Sequence, residues 1–300
     1  MVVHKTLKKT ITASMIVILI FLLCEAPAQA CRLYAVIADD LPNDLLMQQL
    51  IYESNSLKNL AKKGNVDGWG IAWYKEYGFV AAIERGAFRA YHDSAYDDVV
   101  AGMNASEPNI IVAHIRFCTS GCCAHGKEII EDPHPFYRDI KGKRWVFAHN
   151  GGVSIKRMKR LIGDAYLQAN PPNGSGIDGC EDKVVDSEMY FLFLLKNIED
   201  HGGDVGQGII SAVSRMVLDC EHGGMNFILS EGHTLWAFRR GGLILRHKLY
   251  YLYDPAKGYS AVATQYPSDE QKRWIAMKNY ELAVLKGDSP PALINIKQQQ

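Results

Sequence analysis

The sequence lacks both an excess of one charge and internal repeats. Basic and acidic residues are equal in number, 33 each, so the formal net charge is zero. Such a balance argues against binding to nucleic acid or to an anionic membrane surface. No repeat appears at the period of a solenoid or propeller. The hydrophobic fraction of 48% and the charged fraction of 22% are those of an ordinary globular protein.

The first 30 residues differ from the rest. Three lysines precede an apolar run over residues 15–23, which is too short to span a bilayer. No later apolar run in the chain is long enough to form a transmembrane helix. Ala28-Gln29-Ala30 then has the Ala-x-Ala form of a signal-peptidase site. We therefore predict that residues 1–30 are a secretory signal peptide. The 270 residues that remain can bury a sizeable core, and we expect them in the periplasm or outside the cell.

Cleavage after Ala30 would make Cys31 the first residue of the mature chain. A cysteine there carries a thiol and an α-amine on the same carbon. The amine titrates near pH ~7.7–8.0, so it is able to act as a base at neutral pH. Cys31 is thus a candidate N-terminal nucleophile. Two other roles stay open at this point, a disulfide partner or the lipidated cysteine of a lipoprotein.

Five cysteines follow Cys31, namely Cys118, Cys122, Cys123, Cys180 and Cys220. In an oxidising compartment we expect disulfides among them, although their spacing does not determine the pairing. A zinc site that includes His125 is the alternative. The spacing differs from the paired C-x-x-C of structural zinc sites, so we predict no metal and no cofactor.

Hydrophobic periodicity predicts strands at both ends of the mature chain and helices among them. Strands are expected at 31–38, 66–74, 79–84, 109–117, 144–149, 226–230, 234–239, 250–253, 260–264 and 280–285. Helices are expected at 41–63, 93–104, 154–169, 186–199 and 205–218. Residues 118–143 and 170–182 are predicted to be irregular, and the tail to be frayed. Apolar strands in this number predict an α+β fold, a four-layer αββα sandwich with helices on the outer faces of two sheets.

Four further residues suit the cleavage of an amide by a thiol. Asn150 and Gly151 follow a buried strand, and an Asn amide and a Gly backbone N–H are able to stabilise one oxyanion together. The alternative is a simple Asn-Gly turn. Arg116 suits a carboxylate, or extends to solvent. Asp186 suits an ammonium group, or is a helix N-cap. An Arg and an Asp together would hold the head group of an α-amino acid.

These residues lie in a series of short motifs. In chain order the motifs are Cys31-Arg32-Leu33, Asp67-Gly68-Trp69-Gly70-Ile71-Ala72, His114-Ile115-Arg116, Cys118-Thr119-Ser120-Gly121, His134-Pro135-Phe136, Phe147-Ala148-His149-Asn150-Gly151-Gly152 and Asp186-Ser187-Glu188. Their order resembles the class II glutamine amidotransferases, in particular the stand-alone branch of these N-terminal-nucleophile (Ntn) hydrolases. The resemblance runs from Cys31 to about Leu285, so residues 31–300 are expected to form one domain of this kind.

The resemblance implies the Ntn αββα fold and a role for each matching residue. The implied roles are nucleophile for Cys31, base for its α-amine, oxyanion hole for Asn150 and Gly151, carboxylate binding for Arg116 with Thr119 nearby, and ammonium binding for Asp186. Two departures stand out. A signal peptidase would expose the cysteine, where related enzymes remove Met1, and Cys122-Cys123-Ala124-His125 is an insertion of no assigned role.

We therefore predict an exported, cysteine-dependent amidohydrolase that acts on glutamine or another γ-glutamyl amide. No synthase domain fits in the remaining chain, which favours hydrolysis over transfer of ammonia. The expected partner is a small molecule, with no nucleic acid and no membrane after signal cleavage, and the sequence leaves the oligomeric state open. The alternatives are an Ntn amidase for an apolar acyl amide, and a non-catalytic binding protein that is lipid-anchored or disulfide-bonded.

Overall fold

A computed structural model describes residues 30–42, 44–62, 64–117, 134–173, 184–218, 223–241, 248–267 and 273–299. Its strands in chain order are β1 (Arg32–Ala38), β2 (Trp69–Lys75), β3 (Ala81–Gly86), β4 (Pro108–Ile115), β5 (Phe136–Ile140), β6 (Lys143–Gly151), β7 (Met225–Ser230), β8 (Leu235–Arg239), β9 (Tyr250–Asp254), β10 (Tyr259–Ala263), β11 (Ile275–Ala276), β12 (Glu281–Leu285) and β13 (Ala292–Asn295).

The helices fall into two groups along the chain. They are α1 (Leu45–Met47), which continues as a π-helix over Gln48–Tyr52, α2 (Leu57–Lys62), α3 (Ser94–Ala105), α4 (Ile155–Ile162), α5 (Asp164–Ala169), α6 (Asp186–Asp200), α7 (Val205–Leu218) and a final 3₁₀ turn (Ile296–Gln299). Within the described ranges, no helix combines the length and the apolar character needed to cross a membrane.

The described strands form two antiparallel sheets. The first has the order β11-β9-β10-β1-β4-β2-β3, and the second has the order β13-β12-β8-β7-β6-β5. β1 lies at the centre of the first sheet, where it pairs with β10 on one side and β4 on the other. β6 and β7 are neighbours inside the second sheet. The start of β1 and the end of β6 are therefore both interior positions that neighbouring strands hold in place.

The core consists of three apolar layers, because the side chains of a strand alternate between its two faces. In β1, Leu33, Ala35 and Ile37 face the second sheet, whereas Tyr34 and Val36 pack towards α1–α3. The outer face of the second sheet packs against α4, α6 and α7. The order of layers is helix, sheet, sheet, helix, which confirms the predicted α+β four-layer sandwich.

Several predicted elements were wrong in extent. The helix expected at 41–63 is broken, since Ser56 accepts a hydrogen bond from the backbone of Asn59 and starts α2 as a separate helix. The helix expected at 154–169 ends and restarts at Gly163, which has a φ of +85° that favours glycine.

Two strands lie where irregular chain was expected. β5 falls within the segment 118–143 and pairs with β6, and β13 falls in the supposedly frayed tail and pairs with β12. Both are short edge strands, at the outer ends of the second sheet. An edge strand needs little apolar surface, so the sequence pattern shows it only weakly.

Candidate active site

The candidate residues meet at one end of the two sheets. Cys31 directly precedes β1, and Arg116 directly follows β4. Because β1 and β4 are antiparallel, with Arg32 opposite Ile115, these two residues lie side by side. Asn150 and Gly151 end β6 of the other sheet. The fold thus brings together residues that are more than 80 positions apart in sequence.

The thiol of Cys31 contacts the backbone of Phe117 twice. Its Sγ accepts a hydrogen bond from the Phe117 N–H at 3.3 Å, and the Phe117 carbonyl oxygen, also at 3.3 Å, accepts from the thiol. Cys31 is a free cysteine in the structure. The thiol is therefore oriented by the chain that follows β4 and is not part of a disulfide.

The protein environment raises the pKa of the Cys31 thiol. The main cause is burial, which disfavours the thiolate. The Phe117 hydrogen bond and the positive charges of Arg116 and Arg32 lower this pKa, while the charge of Asp186 raises it. Because the net direction is upward, the thiol keeps its proton at neutral pH, and its use as a nucleophile requires a base.

Asn150 lies within a strand and not in a turn. β6 continues through both Asn150 and Gly151, with Asn150 opposite Asn226 and Gly151 opposite Met225 on β7. The turn interpretation of the Asn-Gly pair is therefore wrong. The side-chain Nδ2 of Asn150 donates a hydrogen bond of 2.7 Å to the backbone carbonyl of Cys31. This amide reaches from the second sheet to the candidate nucleophile on the first.

The backbone conformation and the close packing at position 151 both require a glycine. Its φ is +154°, and a Cβ at this position would overlap the carbonyl group of Gly224. The same carbonyl oxygen accepts a hydrogen bond from the N–H of Gly152 at 3.1 Å. The glycine therefore allows the chain before β7 to pack directly over the end of β6.

Asp186 is the first residue of α6, whose N-cap is Val185, so the predicted N-cap role is wrong. Its Oδ2 accepts from the N–H of Val153 at 3.0 Å, and its Oδ1 accepts from the N–H of Ser187 at 2.8 Å. The carboxylate ties the start of α6 to the chain that follows β6. It also acts electrostatically on Cys31, as Arg116 does with opposite sign. The structure thus places both predicted head-group residues around the thiol.

Further residues of the site carried no signal in the sequence. The carbonyl of Ala30 accepts hydrogen bonds from Asn65 Nδ2 and Arg32 Nη1, both at 2.9 Å. Asn65 is buried, yet in the sequence Gly64-Asn65 resembled a plain helix stop. These two donors hold the peptide group at the junction between the predicted signal peptide and the mature chain.

A buried ion pair supports the start of α6. Arg138 Nη2 lies 2.7 Å from Oε1 of Glu188, whose side chain is only 1% exposed. The same oxygen accepts from the N–H of Asn173 at 2.8 Å, and Arg138 donates to the carbonyl of Pro171. The pair therefore fixes the chain that follows α5 against the helix that carries Asp186.

Some predicted features fall on residues that the structure does not describe. Thr119, the five later cysteines, the insertion Cys122–His125 and residues 1–29 all lie outside the described ranges. Within those ranges, no group of three or more His, Cys, Asp or Glu side chains is arranged to hold a metal ion.

Residues 31–254 match the family model of the glutamine amidotransferases class-II. The chain belongs to this family. The match begins at Cys31 and contains all six residues assigned to the site from the sequence. Membership in the class II glutamine amidotransferases makes the protein an enzyme of carbon–nitrogen bonds, with amide hydrolysis of the Ntn type as its chemistry.

Known proteins similar to this chain bear the same description. A protein of Haemophilus influenzae named "Putative glutamine amidotransferase" is 27% identical over 232 residues, which are 71% of each chain. A glutamine aminotransferase class-II domain protein from Silicibacter pomeroyi superposes with a TM-score of 0.57 and 20% identity, over 88% of this chain and 99% of that one.

A larger relative by structure is the glutamine phosphoribosylpyrophosphate amidotransferase of Bacillus subtilis, with a TM-score of 0.60 and 12% identity. The superposition covers 89% of this chain and 49% of the Bacillus chain, so this chain corresponds to about half of that protein. At such identities the likeness shows the fold, which is that of the Ntn-type class II glutamine amidotransferases.

Proposed function

We propose that the mature protein is an exported amidohydrolase that cleaves glutamine or another γ-glutamyl amide, with Cys31 as its nucleophile. The observation that carries this proposal is the convergence on Cys31 of an amide donor, Asn150, and of two opposite charges, Arg116 and Asp186. Family membership supplies the reaction class, and the local chemistry suggests the substrate.

We propose that Arg116 and Asp186 bind the α-amino-acid head group of the substrate. The Arg116 guanidinium suits an α-carboxylate, and the Asp186 carboxylate suits an α-ammonium. Thr119 follows Arg116 closely in sequence and is proposed to assist it. A substrate held by both charges would extend its side-chain amide towards the thiol, as glutamine and γ-glutamyl amines do. An apolar acyl amide offers nothing for these charges to bind.

In the first chemical step, Cys31 Sγ attacks the γ-carbonyl carbon and forms a C–S bond. The thiol proton passes to the α-amine of Cys31, which acts as the base that the raised pKa of the thiol calls for. The carbonyl oxygen becomes an oxyanion that Asn150 and the Gly151 N–H stabilise. An Asn side-chain amide has two N–H donors, so one can hold the Cys31 carbonyl while the other faces the substrate.

In the next steps the C–N bond breaks and the thioester is hydrolysed. The α-ammonium returns its proton to the leaving nitrogen, which departs as ammonia or an amine. Water then attacks the thioester carbon and gives a proton to the α-amine. The C–S bond breaks, the leaving thiolate takes that proton back from the α-ammonium, and the γ-carboxylic acid loses its remaining proton to solvent to become a γ-carboxylate. Thiol and amine end as they began, so the cycle is balanced.

This mechanism depends on a free α-amine at Cys31. The amine is part of the Ala30–Cys31 peptide bond until residues 1–30 are removed, and we propose that a signal peptidase removes them during export. We propose plain hydrolysis, in which the ammonia or amine is released to solvent.

The experiment is intact mass spectrometry of the protein recovered from the exported fraction, with and without a diazoketone analogue of glutamine. We expect a mass that begins at Cys31 and gains one adduct on that residue. A Cys31→Ser variant processed at the same bond is the matched control and should gain none. Retention of residues 1–30, a lipid on Cys31, or absence of the adduct would refute the proposal in favour of a binding protein.

A further inference from the structure

His149 precedes Asn150 and points to the opposite face of β6. Its side chain is buried, at 1% exposure, between the second sheet and α6. Its ring lies 5.3 Å from that of Tyr190, centroid to centroid, in an edge-on arrangement. The imidazole therefore lies behind the site, and the mechanism above gives it no role.

Both ring nitrogens of His149 have partners. Nε2 lies 3.2 Å from the carbonyl oxygen of Gly224, and Nδ1 lies 2.9 Å from the hydroxyl oxygen of Ser187. A carbonyl oxygen only accepts hydrogen bonds, so Nε2 carries the proton of the neutral ring. Nδ1 is then an acceptor, and the Ser187 hydroxyl donates to it. The contacts thus determine the tautomer.

One partner of His149 contacts the end of β6, which carries Gly151, and the other lies at the start of α6, which carries Asp186. The Gly224 carbonyl packs over Gly151 and accepts from the N–H of Gly152, so it holds the end of β6. Ser187 directly follows Asp186, and its backbone N–H donates to Asp186 Oδ1. One imidazole therefore connects the proposed oxyanion strand with the proposed ammonium ligand.

We propose that His149 is a positioning residue that, as the neutral Nε2–H tautomer, fixes the positions of Gly151 and Asp186 relative to each other. It also accepts the hydrogen bond of the Ser187 hydroxyl, so that this hydroxyl does not donate to Asp186. This inference rests on the proposed function. The hydroxyl has two acceptors within reach, since its oxygen is 2.9 Å from His149 Nδ1 and 3.4 Å from Asp186 Oδ1. A hydroxyl has one proton and donates to one of them at a time.

Protonation of His149 would reverse this arrangement. Nδ1 would become a donor to the Ser187 oxygen, and the Ser187 proton would then turn to Asp186 Oδ1. The hydroxyl would compete there with the substrate ammonium, so substrate binding would weaken. The expected kinetic result is a rise in KM for glutamine at acid pH, with a smaller change in kcat.

The groups around His149 determine where this change occurs. Burial lowers the pKa of His149, while Asp186 on α6 and the Gly224 carbonyl raise it. Tyr190 faces it from α6, and the buried His114 on β4 and His134 before β5 interact with it electrostatically. The net direction is downward from the ordinary value of about 6.5, so the rise in KM belongs below that pH.

The decisive variant is Ser187→Ala in the mature protein, because it keeps the backbone N–H that binds Asp186. Glutamine hydrolysis is measured from pH 5 to 8 and resolved into kcat and KM. Loss of one hydrogen bond to His149 should raise KM about fivefold at pH 7.5. The variant should also lack the acid rise in KM of the wild type. Ser211→Ala is the matched control, since Ser211 on α7 donates to Asn197, away from the site.

A second measurement does not depend on turnover. ¹⁵N NMR of the histidine rings should show His149 as the neutral Nε2–H tautomer at pH 7. An Nδ1–H tautomer, or a Ser187→Ala enzyme with the KM and pH profile of Ser211→Ala, would overturn the inference and leave the proposed function standing. A wild-type protein that neither hydrolyses glutamine nor reacts with its diazoketone analogue would overturn both.

Discussion

The side-chain amide of Asn150 donates a 2.7 Å hydrogen bond to the backbone carbonyl of Cys31, 119 residues earlier in the chain. This bond joins the two sheets at the point where the thiol lies. It makes the position of the proposed nucleophile and the position of the proposed oxyanion donor depend on each other. Several expected outcomes follow from this geometry and from the contacts around it.

Asn150→Ala should reduce kcat for glutamine hydrolysis by a factor of about 10²–10³, which is the usual effect of removing one oxyanion donor. The matched control is Asn109→Ala, because Asn109 donates to the carbonyls of Ala38 and Asp39 at the other end of β1. The control should lose stability and keep kcat. Equal losses of kcat in both variants would show that Asn150 only supports β1.

Gly151→Ala should disrupt the site, because the added Cβ would overlap the Gly224 carbonyl. A shift of about 1 Å at the end of β6 is expected to lower kcat/KM by about 10²-fold. Gly102→Ala is the control, since nothing lies within 4 Å of a Cβ added at that position in α3. It should raise the free energy of unfolding by about 0.5–1 kcal/mol and leave kcat/KM unchanged.

Arg138→Met should lower the free energy of unfolding by about 3–5 kcal/mol, because it removes the positive charge that is paired with the buried Glu188 carboxylate. Urea denaturation measures the change. Lys196→Met breaks the more exposed pair with Asp200 and should cost about 0.3–0.5 kcal/mol. Equal decreases in unfolding free energy in the two variants would show that the buried pair stabilises α6 no more than an exposed pair does.

Acid should destabilise the fold through His114. Burial lowers its pKa to about 3 in the folded state, whereas an unfolded histidine titrates near 6.5. Between these values the unfolded chain binds one more proton there, so stability is full above pH ~6.5 and falls by about 1.4 kcal/mol per pH unit below it.

His114→Phe removes this group. The loss of unfolding free energy between pH 7.5 and pH 5 should be smaller by about 2 kcal/mol in the variant than in the wild type. Above pH 7 the two proteins should differ by a constant amount, which serves as an internal control. Parallel curves down to pH 5 would show that His114 is protonated in the folded protein.

The sequence was sufficient for the architecture, and it also singled out the residues that the fold gathers at the candidate site. Long apolar strands and amphipathic helices predicted the layers, and the order of short motifs indicated Cys31, Arg116, Asn150 and Asp186. Each of these residues is at or next to the end of a regular element, where a polar residue after an apolar run is easy to recognise.

The supporting contacts were beyond the sequence because they join distant segments. Asn65 bonds to a carbonyl 35 residues earlier, and Arg138 pairs with a glutamate 50 residues later. A helix-stop Asn and a strand Arg have ordinary local meanings, and only the folded chain reveals their partners. β13 was missed for a similar reason, since its pairing with β12 defines it more than its composition does.

The burial of β1 on both faces has a practical consequence for making the protein. Chain termini usually fray, yet the first residues of a chain processed to begin at Cys31, as proposed, would lie in the middle of a seven-stranded sheet. Ala30 is already 5% exposed, so any residue left in front of Cys31 would occupy enclosed space and would acylate the amine. A recombinant chain that begins Met-Cys31 should therefore be active only after the methionine is removed, and an amino-terminal affinity tag should abolish activity until it is cleaved without leaving a residue.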